Sequence, residues 1–518
     1  MAEVEVSPDG EPDPAVPEDE QHPGTGHRTE RPRHGWWVAL YLLLGLVALC
    51  TRAFLLRFSG LTGEGTYDDG VHFAGSLALV MGKLPYRDFL FLHPPMSLIA
   101  LSPFAALARV ASESLGFSVA RVAWMLLGVF NATAVARLLR PLGMPSALVG
   151  GLAYALYFPA AYTESTTMLE ALGNTFLLAS LLLLVGRRSP ARLAWAGLLL
   201  GLLPTVKIWG VAVVAVVVIW VWVTRGARAF LTVLVSSVLS CFAVLLPFFI
   251  ASPLQMWDMV VAAQLGRPSM ATSTLEERIW VMLGLYGEPI SSQLAYVLAG
   301  VGLAVAAVSV WRNRTFDLVW LALALALSGA GMLVFTPSFY WHYPALIAAP
   351  LSILLGAAVT IAPRVGNRIR WLGAAAILPV VLAWGIALGM HDRLSFTGRD
   401  MQYTPLLGAV ASTGGCVTSD DPAALIELNV FDRNIARGCP VWIDLTGHSY
   451  LDMAAPGVSR AHNVAFQRRV IGYLASGEVA IIGRQDQLHY LGAQNRREIE
   501  SWLVLAQAGT YTAYLVRH

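Results

Sequence analysis

The stretch GTYDDGVHFAGSLALVMGKLPYRDFLFLHPPM, residues 65–96, follows the first long apolar run of a 518-residue chain, and the rest of the sequence is read from it. It holds adjacent carboxylates, Asp68 and Asp69, a lysine, an arginine and a His-Pro-Pro, in a protein that is 56% hydrophobic and only 13% charged. Apolar residues elsewhere fall in runs of about twenty, the length that crosses ~30 Å of hydrocarbon as a helix, so the chain reads as a polytopic membrane protein. A formal net charge of +2 gives no electrostatic footprint for nucleic acid. The side of the membrane that residues 65–96 face decides what their polar groups can meet.

Residues 1–33 are rich in Pro, Glu, Asp and Gly and bring too little apolar surface to fold, which predicts a disordered tail. Arg28, Arg31, Arg33 and His34 precede the first apolar run, Trp36 to about Leu56. By the positive-inside rule the N-terminus is cytoplasmic and a first loop, roughly 57–117, lies outside. Further runs near 119–136, 146–161, 169–186, 193–206, 208–224, 230–251, 293–311, 317–335, 344–362 and 371–390 bring the expected spans to about eleven. With that count Arg137 and Arg140, Arg187, Arg188 and Arg192, Arg225 and Arg228, Arg312 and Arg314, and Arg364, Arg368 and Arg370 all fall inside. A further span at Met96–Val110, which is short and interrupted by Pro103, would turn these clusters outward. That segment therefore reads as an interfacial or re-entrant helix.

The expected architecture is an α-helical multi-pass protein of the plasma membrane, with a transmembrane domain over 34–390 and an extracytoplasmic C-terminal part over 391–518. There, short apolar strands at 416–419, 441–445, 479–482 and 510–516 alternate with helical stretches at 423–431, 465–474 and 496–507, which predicts a small α/β domain. TSDDP, 418–422, reads as a strand-to-helix turn with a capping aspartate. Cys416 and Cys439 are the only cysteines of this part, and an oxidising exterior predicts a disulfide between them. Cys50 and Cys241 fall in spans and read as packing residues.

Asp68 and Asp69 open an amphipathic run that Gly82 can end, and aspartate is a favoured helix N-cap. Capping accounts for one of them; a carboxylate at the membrane surface can also take a proton from an alcohol. Only two lysines occur, Lys83 and Lys207, and both map outside. Lys207, in the tight turn LLPTVKIWG, either finds an anionic partner or snorkels to headgroups. Glu164 in YTESTTMLE reads as a second site carboxylate or a solvated loop residue, with Glu170 further into the next span. His93 in FLHPPM and His342 in FYWHYP can bind phosphate or sugar hydroxyls, or pack as interfacial aromatics. Arg87, Arg267 in QLGRPS, and Arg278 complete an outward basic set. An anion site beside an acidic pair, where no nucleotide is available, fits a lipid-linked phosphosugar whose phosphate leaves while a carboxylate activates the acceptor.

YDDGVHFAGSLALVMGKLPYRDFLFLHPP resembles the first external loop of the polyprenyl-phosphate-dependent GT-C glycosyltransferases, especially the branch of the protein O-mannosyltransferases and the lipid A aminoarabinose transferase. The acidic pair, glycine, helix, PYRD and PP recur there in this order, and YTE, the turn from Thr205 to Lys207 and FYWHYP extend the likeness over residues 36–390. The resemblance implies inverting transfer from a polyprenyl-phosphate sugar to an envelope glycan, lipid or protein on the outer face. It implies Asp68 as general base, Asp69 as its neighbour or a metal or acceptor contact, Glu164 as the second-loop acid and Lys207 as the donor phosphate ligand. His93 stands where relatives often carry lysine, and Asp69 where glutamate is common. Abundant Ala, Arg and Gly with scarce Lys suggests a GC-rich genome, which fits an actinobacterial host and ranks mannose and arabinofuranose first. No cofactor fingerprint occurs, and a divalent cation at the acidic pair stays open. The other readings are a non-catalytic lipid or solute transporter and a membrane-anchored scaffold.

Overall fold

The computed structural model describes residues 34–57, 59–63, 65–186, 189–266, 273–285, 290–360, 367–390, 403–451 and 458–516. The cytoplasmic-tail expectation and Arg267 lie outside these residues. Helix α1, His34–Leu55, enters the bundle; α2, Tyr67–Val80, and α3, Met96–Val110, fold the first loop; α4, Glu113–Leu138, returns to the bundle. The next helices are α5, Met144–Leu156, α6, Phe158–Ser165, α7, Leu169–Val185, α8, Pro190–Gly201, the single turn α9, Leu203–Val206, α10, Gly210–Arg225, and α11, Ala227–Ala251. Further apolar helices span Ser292–Arg312, Asp317–Phe335, Ala348–Ala358 and Asn367–Met390.

Among the described residues five helices are long and apolar enough to cross a membrane, and α5 with α6, bent by 58°, makes a sixth if the pair counts as one span. Six further apolar helices are shorter, at 10–17 residues. The count of eleven is thus not reached by helix length, and the shortfall has a local cause. Runs that look continuous in hydropathy are broken at Tyr157, where α5 gives way to α6, and between Gly201 and Lys207, around Pro204. Irregular backbone at membrane depth is tolerated where protein surrounds it or where it lines a cavity, and the polar residues collect at these breaks.

Two apolar cores form. One, through Leu44, Val135, Tyr154, Leu181 and Val217, joins the bundle helices. The other runs from the first loop, through Phe73, Phe91, Leu98 and Phe117, into the C-terminal part through Ile426, Phe431 and Tyr511. The C-terminal part is built on a four-stranded sheet in the order β1-β2-β4-β3, with β1, Val417–Ser419, parallel to β2, Val479–Ile482. β4, Tyr511–Leu515, runs antiparallel to β2 and to β3, Leu503–Ala508. Cys416 and Cys439 are joined by a disulfide. Two sequence expectations fail here. Residues 441–445 form an irregular segment rather than a strand, and helix over 496–507 is confined to Ala493–Glu500, because the alternation from Leu503 onward pairs with β4 as a hairpin.

The C-terminal part seats directly on the first loop. A Cβ on Gly70 of α2 would come within 2.8 Å of Ala423, so the contact requires glycine. Tyr67 Oη donates to Asp444 Oδ1 at 3.1 Å, and Arg484 Nη2 donates to the Gly65 carbonyl at 3.2 Å. Glu113 accepts the N–H groups of Phe431 (3.1 Å) and Asp432 (3.0 Å), while the Ser114 hydroxyl donates to Glu427. Burial pushes the Glu427 carboxyl up to about 8, opposed by the Arg121 charge and the Ser114 bond, and its Oε1 has no partner. The folded protein then keeps a proton that the unfolded chain releases near the ordinary value of ~4.3. Between these pH values the folded state binds more protons than the unfolded state, so stability falls as pH rises. In Glu427→Gln the fall of the thermal midpoint from pH 5.5 to pH 8 becomes shallower than in wild type; equal slopes would contradict the assignment.

Candidate active site

The first turn of α2 separates the two aspartates. Thr66, not an aspartate, is the N-cap, its hydroxyl accepting the Asp69 N–H at 3.1 Å. Both carboxylates therefore sit in the first turn, where the helix dipole favours negative charge, about 100° apart around the axis. Asp69 turns inward and is fully buried. Its Oδ2 accepts Arg121 Nε (2.9 Å) and Nη2 (2.7 Å), and its Oδ1 accepts Thr167 N–H (2.8 Å) and Oγ1 (2.6 Å). It clamps α2 to α4 and to the turn before α7, so both oxygens are already committed within the protein.

Asp68 turns the other way and is partly exposed. Among the described residues its carboxylate accepts no hydrogen bond and joins no ion pair. Its charge acts on Tyr162, His342 and Asp444, which places it between the bundle and the C-terminal part. Asp444 is itself raised, first by burial and further by the Asp68 charge.

On the bundle side, Lys207 ends the single turn α9, and its Nζ meets Glu170 Oε1 at 2.8 Å. The rings of Trp209 and Tyr343 lie 4.6 and 4.0 Å from Nζ. His342 Nε2 is 3.9 Å from the same Glu170 oxygen, and the His342 ring stacks on Tyr340 and Tyr162. Glu170, Asn174, Lys207, Trp209 and Tyr343 line one pocket. His93 lies 6.0 Å, ring to ring, from His72, whose Nδ1 meets the Thr167 carbonyl at 3.0 Å. Pro94 and Ile208, the neighbours of His93 and Lys207, border an apolar cavity of about 330 Å³ that is also lined by Phe242, Phe249 and Trp257.

The structure thus gathers Asp68, Lys207 and His342 around a common region, with His93 beyond His72, and separates other candidates from them. Glu164 is fully buried on the opposite face of α6 from Tyr162, two residues earlier. It takes Arg52 Nε at 3.1 Å and Nη2 at 2.5 Å, Asn131 at 2.7 Å and Tyr154 at 2.7 Å. All of these lie within the helix bundle, and they clamp α6 to α1, α4 and α5. Arg87 is half exposed, pairs with Asp88 at 2.8 Å, and lines a separate cleft with Lys83 and Val441. Arg278 spends its guanidinium on the carbonyls of Leu333, Val334 and Thr336, capping the helix Asp317–Phe335. Among the described residues no group of three or more His, Cys, Asp or Glu is set to hold a metal ion.

Two participants escaped the sequence reading, Glu170 as the anion at Lys207 and Asp444 facing Asp68. The first had a signal: a lysine at membrane depth demands a counter-ion. The second had none, because Asp444 is brought there by its bond to Tyr67, 377 positions away.

Residues 91–337 match the model of Glycosyltransferase family 87. No curated protein matches the chain in sequence. The structure is similar to that of ArnT from Cupriavidus metallidurans bound to undecaprenyl phosphate, with a TM-score of 0.56 and 14% identity, over 93% of this chain and 98% of that one. It is also similar to the archaeal oligosaccharyltransferase AglB from Archaeoglobus fulgidus in complex with an inhibitory peptide and a dolichol-phosphate, with a TM-score of 0.53 and 12% identity, over 87% and 70% of the two chains. At such identities these likenesses speak for the fold. The chain is a multi-pass membrane protein with the fold seen in these GT-C glycosyltransferases. Its residues 91–337 are similar to glycosyltransferase family 87.

Proposed function

We propose that the protein transfers a sugar from a polyprenyl-phosphate donor to a hydroxyl of an envelope glycan, lipid or protein on the outer face of the plasma membrane. The observation that carries this reading is the contrast within the acidic pair. Asp69 is locked between Arg121 and Thr167, and Asp68, one residue earlier, keeps its carboxylate unengaged opposite His342.

In this reading Asp68 takes the proton of the acceptor hydroxyl as the oxygen attacks the anomeric carbon. The bond from that carbon to the phosphate oxygen breaks, the configuration inverts, and the polyprenyl phosphate leaves with the added charge. Lys207 holds that charge, with His342 beside it and His93 at the edge of the site; ammonium and imidazole groups aimed at a leaving phosphate act where charge develops. The apolar cavity beside Pro94 and Ile208 suits the first isoprene units of the tail. The sugar is favoured as mannose or arabinofuranose on composition alone. Liganded neighbours lend support to a lipid-linked donor in general, since the solved relatives carry undecaprenyl phosphate or dolichol-phosphate.

The test uses wild-type protein in nanodiscs with a panel of radiolabelled polyprenyl-phosphate sugars and an envelope-extract acceptor. Consumption of one donor with label appearing in the acceptor is the expected result. A folded protein that consumes none across the panel overturns the reading and raises the transporter alternative.

A further inference from the structure

A single lysine that already carries an internal carboxylate is an unusual place to hold a phosphate. Glu170 is almost fully buried; its Oε1 is spent on Lys207 at 2.8 Å, and its Oε2 has no hydrogen-bond partner while the residue lines the pocket. Lys207 cannot simply swing away, because Trp209 and Tyr343 flank it on two sides. The groups facing this carboxylate are Lys207 at the end of α9 and His342 ahead of the turn at Tyr343; Asp68 and His72 of α2 act in turn on His342. A phosphate reaching Lys207 therefore arrives beside a fixed negative charge.

The two phosphates of the proposed reaction differ in charge. A donor phosphodiester carries one negative charge at any physiological pH. The product polyprenyl phosphate is a monoester, whose second ionisation near pH ~6 gives it close to two. We infer that Glu170 is a selectivity residue that offsets part of the Lys207 charge, so that the product dianion is held less tightly than Lys207 alone would hold it and leaves after transfer. This inference rests on the proposed role of Lys207 as phosphate ligand. Glu170 acts through the charge balance at Lys207 and is a positioning residue rather than a catalytic one.

The experiment measures equilibrium binding of two probes, a polyprenyl phosphate and its methyl diester, to the full chain in nanodiscs at pH 5.5 and pH 8. At pH 8 the monoester-to-diester affinity ratio is lower in wild type than in Glu170→Gln, because the second charge that only the monoester gains is felt by Glu170. Glu170→Gln tightens monoester binding at pH 8 by about 100-fold or more, the order expected when a like charge about 5 Å away is removed at an effective dielectric near 20. It tightens diester binding by clearly less, and Glu170→Asp keeps the wild-type ratio. A variant that moves both probes equally or moves neither overturns the inference. Lys207→Ala separates the two levels: unchanged binding of both probes would remove the phosphate site itself, whereas lost binding with an unselective Glu170→Gln removes only the role given to Glu170.

Discussion

Asp68→Asn lowers the rate of sugar transfer by about 100- to 10,000-fold, the range that a positioned general base contributes, while donor affinity and the unfolding midpoint stay near wild type. The reasoning is geometric. The Asp68 carboxylate has no partner among the described residues, so its removal breaks no contact of the fold. Asparagine keeps the size and the place in the first turn of α2 but cannot accept a proton at neutral pH. The measurement is single-turnover transfer at saturating donor, paired with a thermal melt in the same nanodiscs. A rate within a few-fold of wild type would remove Asp68 from the chemistry.

The opposite pattern holds one residue later. Asp69→Asn leaves the Arg121 guanidinium buried without its counter-charge, and breaking a fully buried pair by removing one partner costs about 3–5 kcal/mol. Arg121 still reaches the carbonyl of Gly63 at 3.0 Å, but carbonyls do not neutralise it. Phe117, whose ring lies 4.1 Å from the guanidinium carbon, packs into the same core, so the loss spreads to the seat of the C-terminal part. The expected result is a marked drop in the unfolding midpoint, and in Asp69→Asn any loss of transfer follows the fraction of unfolded protein. An unchanged midpoint would mean that the clamp contributes little.

The sequence alone carries the membrane class and the first-loop helix, because each rests on local pattern. Gly82, with φ of +83°, ends the first-loop helix region as its position suggests. What escapes the sequence is direction. YDDG cannot say which aspartate faces the core, since that depends on Arg121, fifty-two positions away. The cap falls to Thr66, one residue before the helix, because its hydroxyl reaches the third N–H where a carboxylate was expected. Glu164 and Arg278 sit in stretches that read as external, yet their charges are absorbed by Arg52 and by helix-end carbonyls that no local pattern reveals. The breaks after Tyr157 and before Lys207 are invisible in hydropathy because apolar residues stand on both sides of them, Leu156 and Phe158 at the first and Leu202 and Ile208 at the second.

The most direct test of the account is the anomeric configuration of the transferred sugar, read by NMR on the product formed from a donor of known configuration. One attack assisted by one carboxylate, with the lipid phosphate leaving from the opposite face, predicts clean inversion. Retention would contradict the account, because it calls for a second carboxylate acting as nucleophile at the anomeric carbon, and both Asp69 and Glu164 are held by buried arginines.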